Sequence, residues 1–139
     1  MPSSLMEHGV NPKQEILERV GDISDVEIFG NDILVALYVR PEKTRGGILL
    51  SDQTREEDKF QGKCGLILKL GPTAYLDEDG NRFRDISEGD FVVFRPSDGW
   101  PVTLNSKKDG LTSKEAAIPC RVITDINIRM RVLSPDAIY

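Results

Sequence analysis

The residues whose types and spacing best suit a binding site lie in a strongly charged part of the chain, residues 41–63. Of the 22 residues from Glu42 to Lys63, ten are charged and few are large and apolar. A segment with so little apolar surface cannot offset the entropy of becoming ordered, so we predict a mobile loop. Exposed aliphatic side chains inside it are unfavourable unless a partner covers them or they fold back as a short strand edge. The candidate partner-binding residues are Gly46, Gly47, Ile48, Leu49 and Leu50.

The sequence contains no combination of residues that is typical of a catalytic site. The only histidine, His8, lies in an N-terminal stretch predicted to be disordered, so no serine–histidine, cysteine–histidine or histidine–metal site can be built. The glycine pair Gly46-Gly47 lacks the further glycine and the strand-to-helix context of a phosphate-binding loop. The acidic run at residues 77–79 lacks the ligand spacing of a calcium loop. We therefore expect no catalytic residue, no metal and no cofactor.

Composition restricts the class of protein further. A chain of 139 residues predicts one domain, and its formal charge of -5 disfavours nucleic acid or an anionic membrane as the main partner. No apolar run approaches the ~20 residues of a membrane span, and Met1 to Gly9 does not resemble a secretory signal. Cys64 and Cys120 are interpreted as reduced core thiols, which favours a cytoplasmic location.

A short helix is predicted at Pro12 to Val20, close to the N-terminus. Asn11 is a suitable N-cap, Pro12 suits the first helical position, and Gly21 supplies the stop. One face is apolar, and it could cover either a sheet edge or a neighbouring subunit. That face consists of Ile16, Leu17 and Val20.

Two strands are predicted to flank the charged segment. A two-residue period begins at Val26, and the almost continuously apolar run Ile33 to Val39 indicates a central strand buried on both faces. Beyond the charged segment, alternate residues from Cys64 to Leu70 are apolar and predict a second strand, which Gly71-Pro72 ends.

The pattern of the chain after Pro72 predicts short strands separated by turns. Asp79-Gly80 marks a hairpin between Tyr75 and Phe83, and a turn at residues 86–90 leads into a strand at residues 91–94. A polar stretch from residue 105 is predicted to be an exposed insertion. The alternation from Cys120 to Val132 predicts one long half-buried strand, with Arg121 on its polar side, or two strands joined by a bend near Asp125. This spacing implies an all-β fold, a small closed or nearly closed β-barrel.

These motifs resemble the GroES-type co-chaperonins over about Asp32 to Tyr139. The resemblance divides the chain into a 1–30 extension with a short helix and a 31–139 GroES-like β-barrel domain. Within that domain, the mobile loop is 41–63, the roof hairpin 73–86 and the insertion 105–119. The matching motifs are Arg40-Pro41 after an apolar strand, Lys43 to Leu50, Leu70-Gly71-Pro72, the Asp79-Gly80 hairpin, Gly89 to Phe94, and Leu133 to Ile138.

The resemblance implies a co-chaperonin that caps the nucleotide-bound ring of a large chaperonin and encloses a client protein while it folds. Family members form a seven-membered ring, so a homo-oligomer, a heptamer, is expected. By position, Ile48, Leu49 and Leu50 match the aliphatic triplet that contacts the chaperonin, and Gly46 and Gly47 match its glycine pair. Trp100 lies near an aromatic position that often faces the cavity. The implied partners are thus the ATP-bound chaperonin ring and a folding client.

The sequence also departs from the short members of this family. The N-terminal extension and the insertion have no counterpart in them, and the chain stops soon after the final aspartate, where the family's last strand pairs with the next subunit. Ring closure could rest instead on the N-terminal helix. Virus-encoded relatives diverge in this way, which leaves a phage origin and action in the host cytoplasm open. The alternative function is a GroES-like β-barrel that acts as a viral structural or assembly component.

Overall fold

The computed structural model of the chain describes residues 11–39, 49, 62–106 and 108–138. They form two short helices, α1 and α2, and six strands, β1 to β6, numbered in chain order. The elements are α1 Pro12–Val20, β1 Asp32–Leu37, β2 Cys64–Leu70, β3 Phe91–Val93, β4 Trp100–Asn105, α2 Ser113–Ala116, β5 Ala117–Thr124 and β6 Met130–Val132.

All six strands belong to one antiparallel sheet. Their order across the sheet is β4-β5-β1-β2-β3-β6, which places β1 and β2 at its centre. This confirms a mainly β fold. In the part of the chain that the structure describes, no pairing joins β4 to β6, so closure into a barrel stays a prediction.

The central strand β1 is buried on both faces, as its continuous apolar sequence predicts. Its side chains alternate between two cores on opposite faces of the sheet. The first core includes Ile33, Val35, Leu37, Ile67, Tyr75, Val92, Phe94, Ile123 and Ile128. The second core includes Val20, Leu34, Ala36, Tyr38, Cys64, Leu66, Leu68, Phe91, Ile118 and Cys120.

Strand β2 has the predicted bounds but is more buried than its alternation suggests. Residues 64–68 are buried without interruption, because β2 lies between β1 and β3 and both cores cover it. The register between β1 and β2 shifts between Leu34 and Val35, which marks a bulge in this central pair.

Helix α1 forms where the sequence predicts it and covers the second core of its own chain. The Asn11 side-chain oxygen accepts hydrogen bonds from the backbone N–H of Lys13 (3.0 Å) and of Gln14 (3.4 Å). Gly21 ends the helix with a φ of +68°. Val20 is buried and Ile16 packs against the second core, while Leu17 remains 42% exposed. The Ser106 hydroxyl donates to the carbonyl of Arg19, which ties the end of α1 to the chain after β4.

The two-residue period from Val26 does not produce a strand. Both edges of β1 are already occupied, by β2 and β5, so the residues before β1 have no free edge there to pair with. Val26 and Ile28 instead pack their side chains against the second core, and the Lys69 ammonium group donates to the carbonyl of Val26.

The C-terminal alternation forms two strands, the second of the two predicted arrangements. A single 3-10 turn, Asp125–Asn127, separates β5 from β6. The predicted orientation of Arg121 is wrong: its side chain is 5% exposed, and its guanidinium donates to the carbonyls of Pro96 and Asp98. Strand β5 begins at Ala117 and so takes in the last residues of the segment assigned to an insertion.

After β6, the described residues form a turn rather than a further strand. A second 3-10 turn covers Pro135–Ala137, within the segment Leu133 to Ile138 that resembles the last strand of the family. Ile138 packs against the second core of the same chain.

Candidate functional site

One predicted contact residue of the charged segment, Leu49, belongs to the described part of the chain, and its side chain is 74% exposed. The other four, Gly46, Gly47, Ile48 and Leu50, lie outside the described residues. A leucine this exposed presents apolar surface that a partner can bury.

The two ends of the charged segment are held together by the central strands. Leu37 pairs with Gly65 in the sheet, and the N–H of Tyr38 donates to the carbonyl of Cys64 at 2.9 Å. The N–H of Phe94 donates to the carbonyl of Lys63, also at 2.9 Å. The chain therefore leaves and returns at the same end of the β1–β2 pair, here called the loop end.

Gly65 permits the close approach of β1 and β2 at the loop end. A Cβ at this position would lie 2.9 Å from the carbonyl oxygen of Ala36 and 3.2 Å from the Cβ of Val35. In the sequence, Gly65 is only the second residue of the strand predicted from Cys64 to Leu70. Its role depends on the pairing partner, which local sequence does not identify.

The other end of the β1–β2 pair, here called the hairpin end, carries the predicted turn at Asp79-Gly80. Leu76 and Arg82 form a β-bridge, and Gly80 adopts a φ of +81°, which favours glycine. The carboxylate of Asp77 accepts hydrogen bonds from the N–H groups of Asp79 (3.0 Å) and Asn81 (2.8 Å). Whether this hairpin roofs a chamber, as the family resemblance implies, stays a prediction.

Tyr75 anchors the hairpin to the sheet and is 1% exposed. Its N–H donates to the carboxylate of Asp125 at 2.8 Å, and its hydroxyl donates to the Asp125 carbonyl at 3.0 Å. Burial raises the pKa of Tyr75 to about 12; the nearby Arg84 lowers it and Asp125 raises it. Sequence reasoning places Tyr75 at the start of the hairpin but does not identify this tie, because the two residues are 50 positions apart.

Trp100, the predicted cavity-facing residue, begins the edge strand β4 and is 66% exposed. The turn before it is fixed by Arg95, whose guanidinium forms an ion pair with Asp98 at 3.0 Å. Burial raises the pKa of Asp98, but the hydrogen bonds from Arg95 outweigh this effect and hold the pKa below its usual range. Exposure makes Trp100 available to a partner, while its facing a cavity stays a prediction.

The two cysteines are buried and free, as the sequence predicts. Burial raises the pKa of Cys64 to about 12; for Cys120, burial also raises the pKa to about 12, against a backbone hydrogen bond from Leu104 that lowers it. Both thiols are therefore protonated near neutral pH and poorly reactive. Across the residues that the structure describes, no cluster of three or more histidine, cysteine or acidic side chains could hold a metal ion.

No described helix is both long and apolar enough to cross a membrane. An antiparallel sheet with an exposed leucine in a charged segment at one end, and an anchored hairpin at the other, defines a small β-sheet protein with a candidate protein-binding site.

Residues 25–122 match the family model of the chaperonin 10 kDa subunit. The chain is also 34% identical over 94 residues to the co-chaperonin GroES of Dinoroseobacter shibae, an alignment that covers 67% of this chain and 84% of the relative. The chain therefore belongs to the chaperonin 10 family. Neither match supports the alternative of a viral structural component. Helix α1 and strand β6 both lie outside the matched residues.

Proposed function

We propose that this chain is a co-chaperonin that caps the nucleotide-bound ring of a large chaperonin and encloses a client protein while it folds. The observation that carries the proposal is Leu49, a large apolar side chain that is 74% exposed in a strongly charged segment between the two central strands. Membership in the chaperonin 10 family supports the same role.

The expected contact is the aliphatic triplet Ile48, Leu49 and Leu50. Burying each of these side chains in a groove contributes roughly 1.5 to 3 kcal/mol, and ordering the segment that carries them opposes much of that gain. A single copy should therefore bind weakly. In a seven-membered ring of copies, the first docked segment holds the others near their sites at high effective concentration, so the ring binds tightly yet can still dissociate.

The proposal includes a cytoplasmic location, a homo-oligomeric and heptameric assembly, and no catalytic activity of its own. Chemistry then belongs to the chaperonin, which binds the nucleotide, while this chain supplies apolar contacts and a cover. Exposed Trp100 on β4 is the candidate side chain for contact with the enclosed client.

The test is co-sedimentation of the full chain with a purified bacterial chaperonin double ring, with and without adenine nucleotide. Wild type should be captured with nucleotide only. Leu49→Ser should lower the affinity strongly, because the loss recurs in every copy of the ring, and the triple replacement of Ile48, Leu49 and Leu50 by serine should abolish capture. Phe29→Ser is the matched control: Phe29 is also exposed, at 70%, but lies three residues before β1, at the hairpin end.

Equal capture of wild type and the triple variant would remove the charged segment from the mechanism. Absence of any nucleotide-dependent capture of wild type would contradict capping. Binding that ignores nucleotide would instead favour a stable structural complex.

A further inference from the structure

Tyr75 has an unusual backbone conformation for a residue of its size. Its φ is +59°, and within the described ranges it is the one residue other than glycine with a positive φ. Bulky side chains rarely adopt this region because Cβ approaches the backbone too closely, so surrounding contacts must hold Tyr75 there.

Asp125 supplies those contacts from the turn between β5 and β6. Its carboxylate accepts the Tyr75 N–H at 2.8 Å, and its carbonyl accepts the Tyr75 hydroxyl at 3.0 Å. Asp125 is itself fixed, because its N–H donates to the carbonyl of Asn31 at 3.0 Å. One residue thus holds both the backbone and the ring of Tyr75.

Holding Tyr75 with the buried side chain of Asp125 is energetically unfavourable in one respect. Asp125 is 3% exposed, and its second oxygen, Oδ1, has no hydrogen-bond partner among the described residues. Burying a carboxyl group with an unsatisfied oxygen opposes folding, so stability alone does not account for an aspartate here.

Both arms of the hairpin depend on Tyr75. The N–H of Phe83, on the returning arm, donates to the Tyr75 carbonyl at 2.8 Å, and the two rings meet edge to face at 5.8 Å. The Arg84 guanidinium lies 5.6 Å from the centre of the Tyr75 ring and donates to the carbonyl of Ile128 at 3.3 Å. The direction in which the hairpin leaves the sheet therefore follows from the conformation of Tyr75.

We propose that Asp125 is a positioning residue that fixes the hairpin, residues 76–82, at the angle to the sheet needed to close the cover over an enclosed client. The inference rests on the proposed function, since it assigns the hairpin a part in enclosure. It adds that docking and enclosure depend on different residues at opposite ends of the β1–β2 pair.

The test compares Asp125→Ala with Asp125→Asn in the full chain. The alanine variant loses the acceptor for the Tyr75 N–H, so amide hydrogen exchange in the hairpin should accelerate on the order of ten- to a hundredfold. The asparagine variant keeps an oxygen at this place and replaces the carboxyl group with an amide. It should retain slow exchange and a melting temperature at least equal to that of wild type.

Two readouts on the chaperonin complex separate positioning from general stability. With Asp125→Ala, nucleotide-dependent capture should match wild type, while a bound client should lose its protection from protease. Asp125→Asn should restore that protection. Tyr75→Phe provides a milder change for the case that the alanine variant does not fold. It removes only the hydroxyl bond, and it should give intermediate hairpin exchange and intermediate client protection.

Several results would overturn the inference. Slow hairpin exchange or full client protection in Asp125→Ala would show that the tie does not position the hairpin. Equal defects in Asp125→Asn and Asp125→Ala would show that the acceptor oxygen is not what matters. If wild type itself fails to show nucleotide-dependent capture, the proposed function fails, while hydrogen exchange in the free chain still tests the tie.

Discussion

The two ends of the central β1–β2 pair are built differently. At the loop end, backbone hydrogen bonds from Tyr38 to Cys64 and from Phe94 to Lys63 bring the ends of the charged segment together. At the hairpin end, the buried carboxylate of Asp125, the edge-to-face ring of Phe83 and the guanidinium of Arg84 hold Tyr75. One end therefore carries an exposed leucine on a segment whose ends are joined by backbone hydrogen bonds, whereas the other holds a hairpin through buried side-chain contacts.

Raising the pH into the alkaline range should give the largest change in the free energy of unfolding. The groups responsible lie at both ends of the β1–β2 pair. The pKa values of Cys64, Cys120 and Tyr75 are each raised to about 12, from ordinary values of 9.0 for the thiols and 10.0 for the phenol. Above those ordinary values the unfolded chain releases protons that the folded chain retains, so the stability present at lower pH is lost as pH rises toward 12. Each thiol should lower the free energy of unfolding by about 1.4 kcal/mol per pH unit within this window.

Urea denaturation at a series of pH values measures this slope. The thiols lie toward the loop end and titrate from pH 9.0, whereas Tyr75 lies at the hairpin end and contributes from pH 10.0. Replacing both cysteines with alanine should remove the early part of the slope, between pH 9 and 10. A slope there that survives the double replacement would contradict the assignment to the thiols.

A matched pair of glycine substitutions compares how tightly the two ends are packed. At the hairpin end, a Cβ on Gly71 would lie 2.2 Å from the carbonyl oxygen of Gly30; at the loop end, the shortest distance from a Cβ on Gly65 is 2.9 Å. Gly65→Ala should destabilise the chain by about 1–3 kcal/mol, and Gly71→Ala by more than about 3 kcal/mol, because its clash is with backbone at shorter range.

Equilibrium urea unfolding of both variants provides the measurement, with Gly80→Ala as control. A Cβ on Gly80 would meet nothing within 4 Å, so only its positive φ of +81° should matter, at a cost of about 1–2 kcal/mol. If Gly65→Ala proved the more harmful of the pair, the loop end would be the more tightly packed.

The tie between α1 and the chain after β4 should give the smallest effect. Ser106→Ala removes the hydroxyl that donates to the Arg19 carbonyl and that accepts, at an exposed place, from the Lys108 N–H at 3.1 Å, and the free energy of unfolding should fall by about 1 kcal/mol. Ser97→Ala, at an exposed turn position, is the control and should change stability little. A loss well above this figure for Ser106→Ala would mean that the attachment of α1 to the chain after β4 contributes more than these two hydrogen bonds.

Local sequence signals predicted much of the fold. The bounds of α1 follow from the Asn11 cap, Pro12 and the Gly21 stop, and the double burial of β1 follows from its unbroken apolar run. The exposure of Leu49 agrees with its place in a charged segment. In each case, the residues that determine the feature are close together in the sequence.

The features that the sequence did not predict depend on partners far along the chain. Arg121 looks like a solvent-facing member of an alternating strand until the turn at residues 95–101 places the carbonyls of Pro96 and Asp98 around it. The two-residue period at Val26 forms no strand because other strands occupy both edges of β1. The role of Asp125 likewise requires knowing that Tyr75, 50 positions away, meets it.

The position of the charged segment also determines how the domain would respond to mechanical force. A pull on that segment by a bound partner would enter the sheet at Leu37 and Cys64, on two adjacent strands in the middle of the sheet. The load would run along β1 and β2, perpendicular to the hydrogen bonds that join them to β5 and β3. In that geometry, the hydrogen bonds between neighbouring strands must break together instead of one after another. The domain should therefore resist unfolding when force is applied to the charged segment.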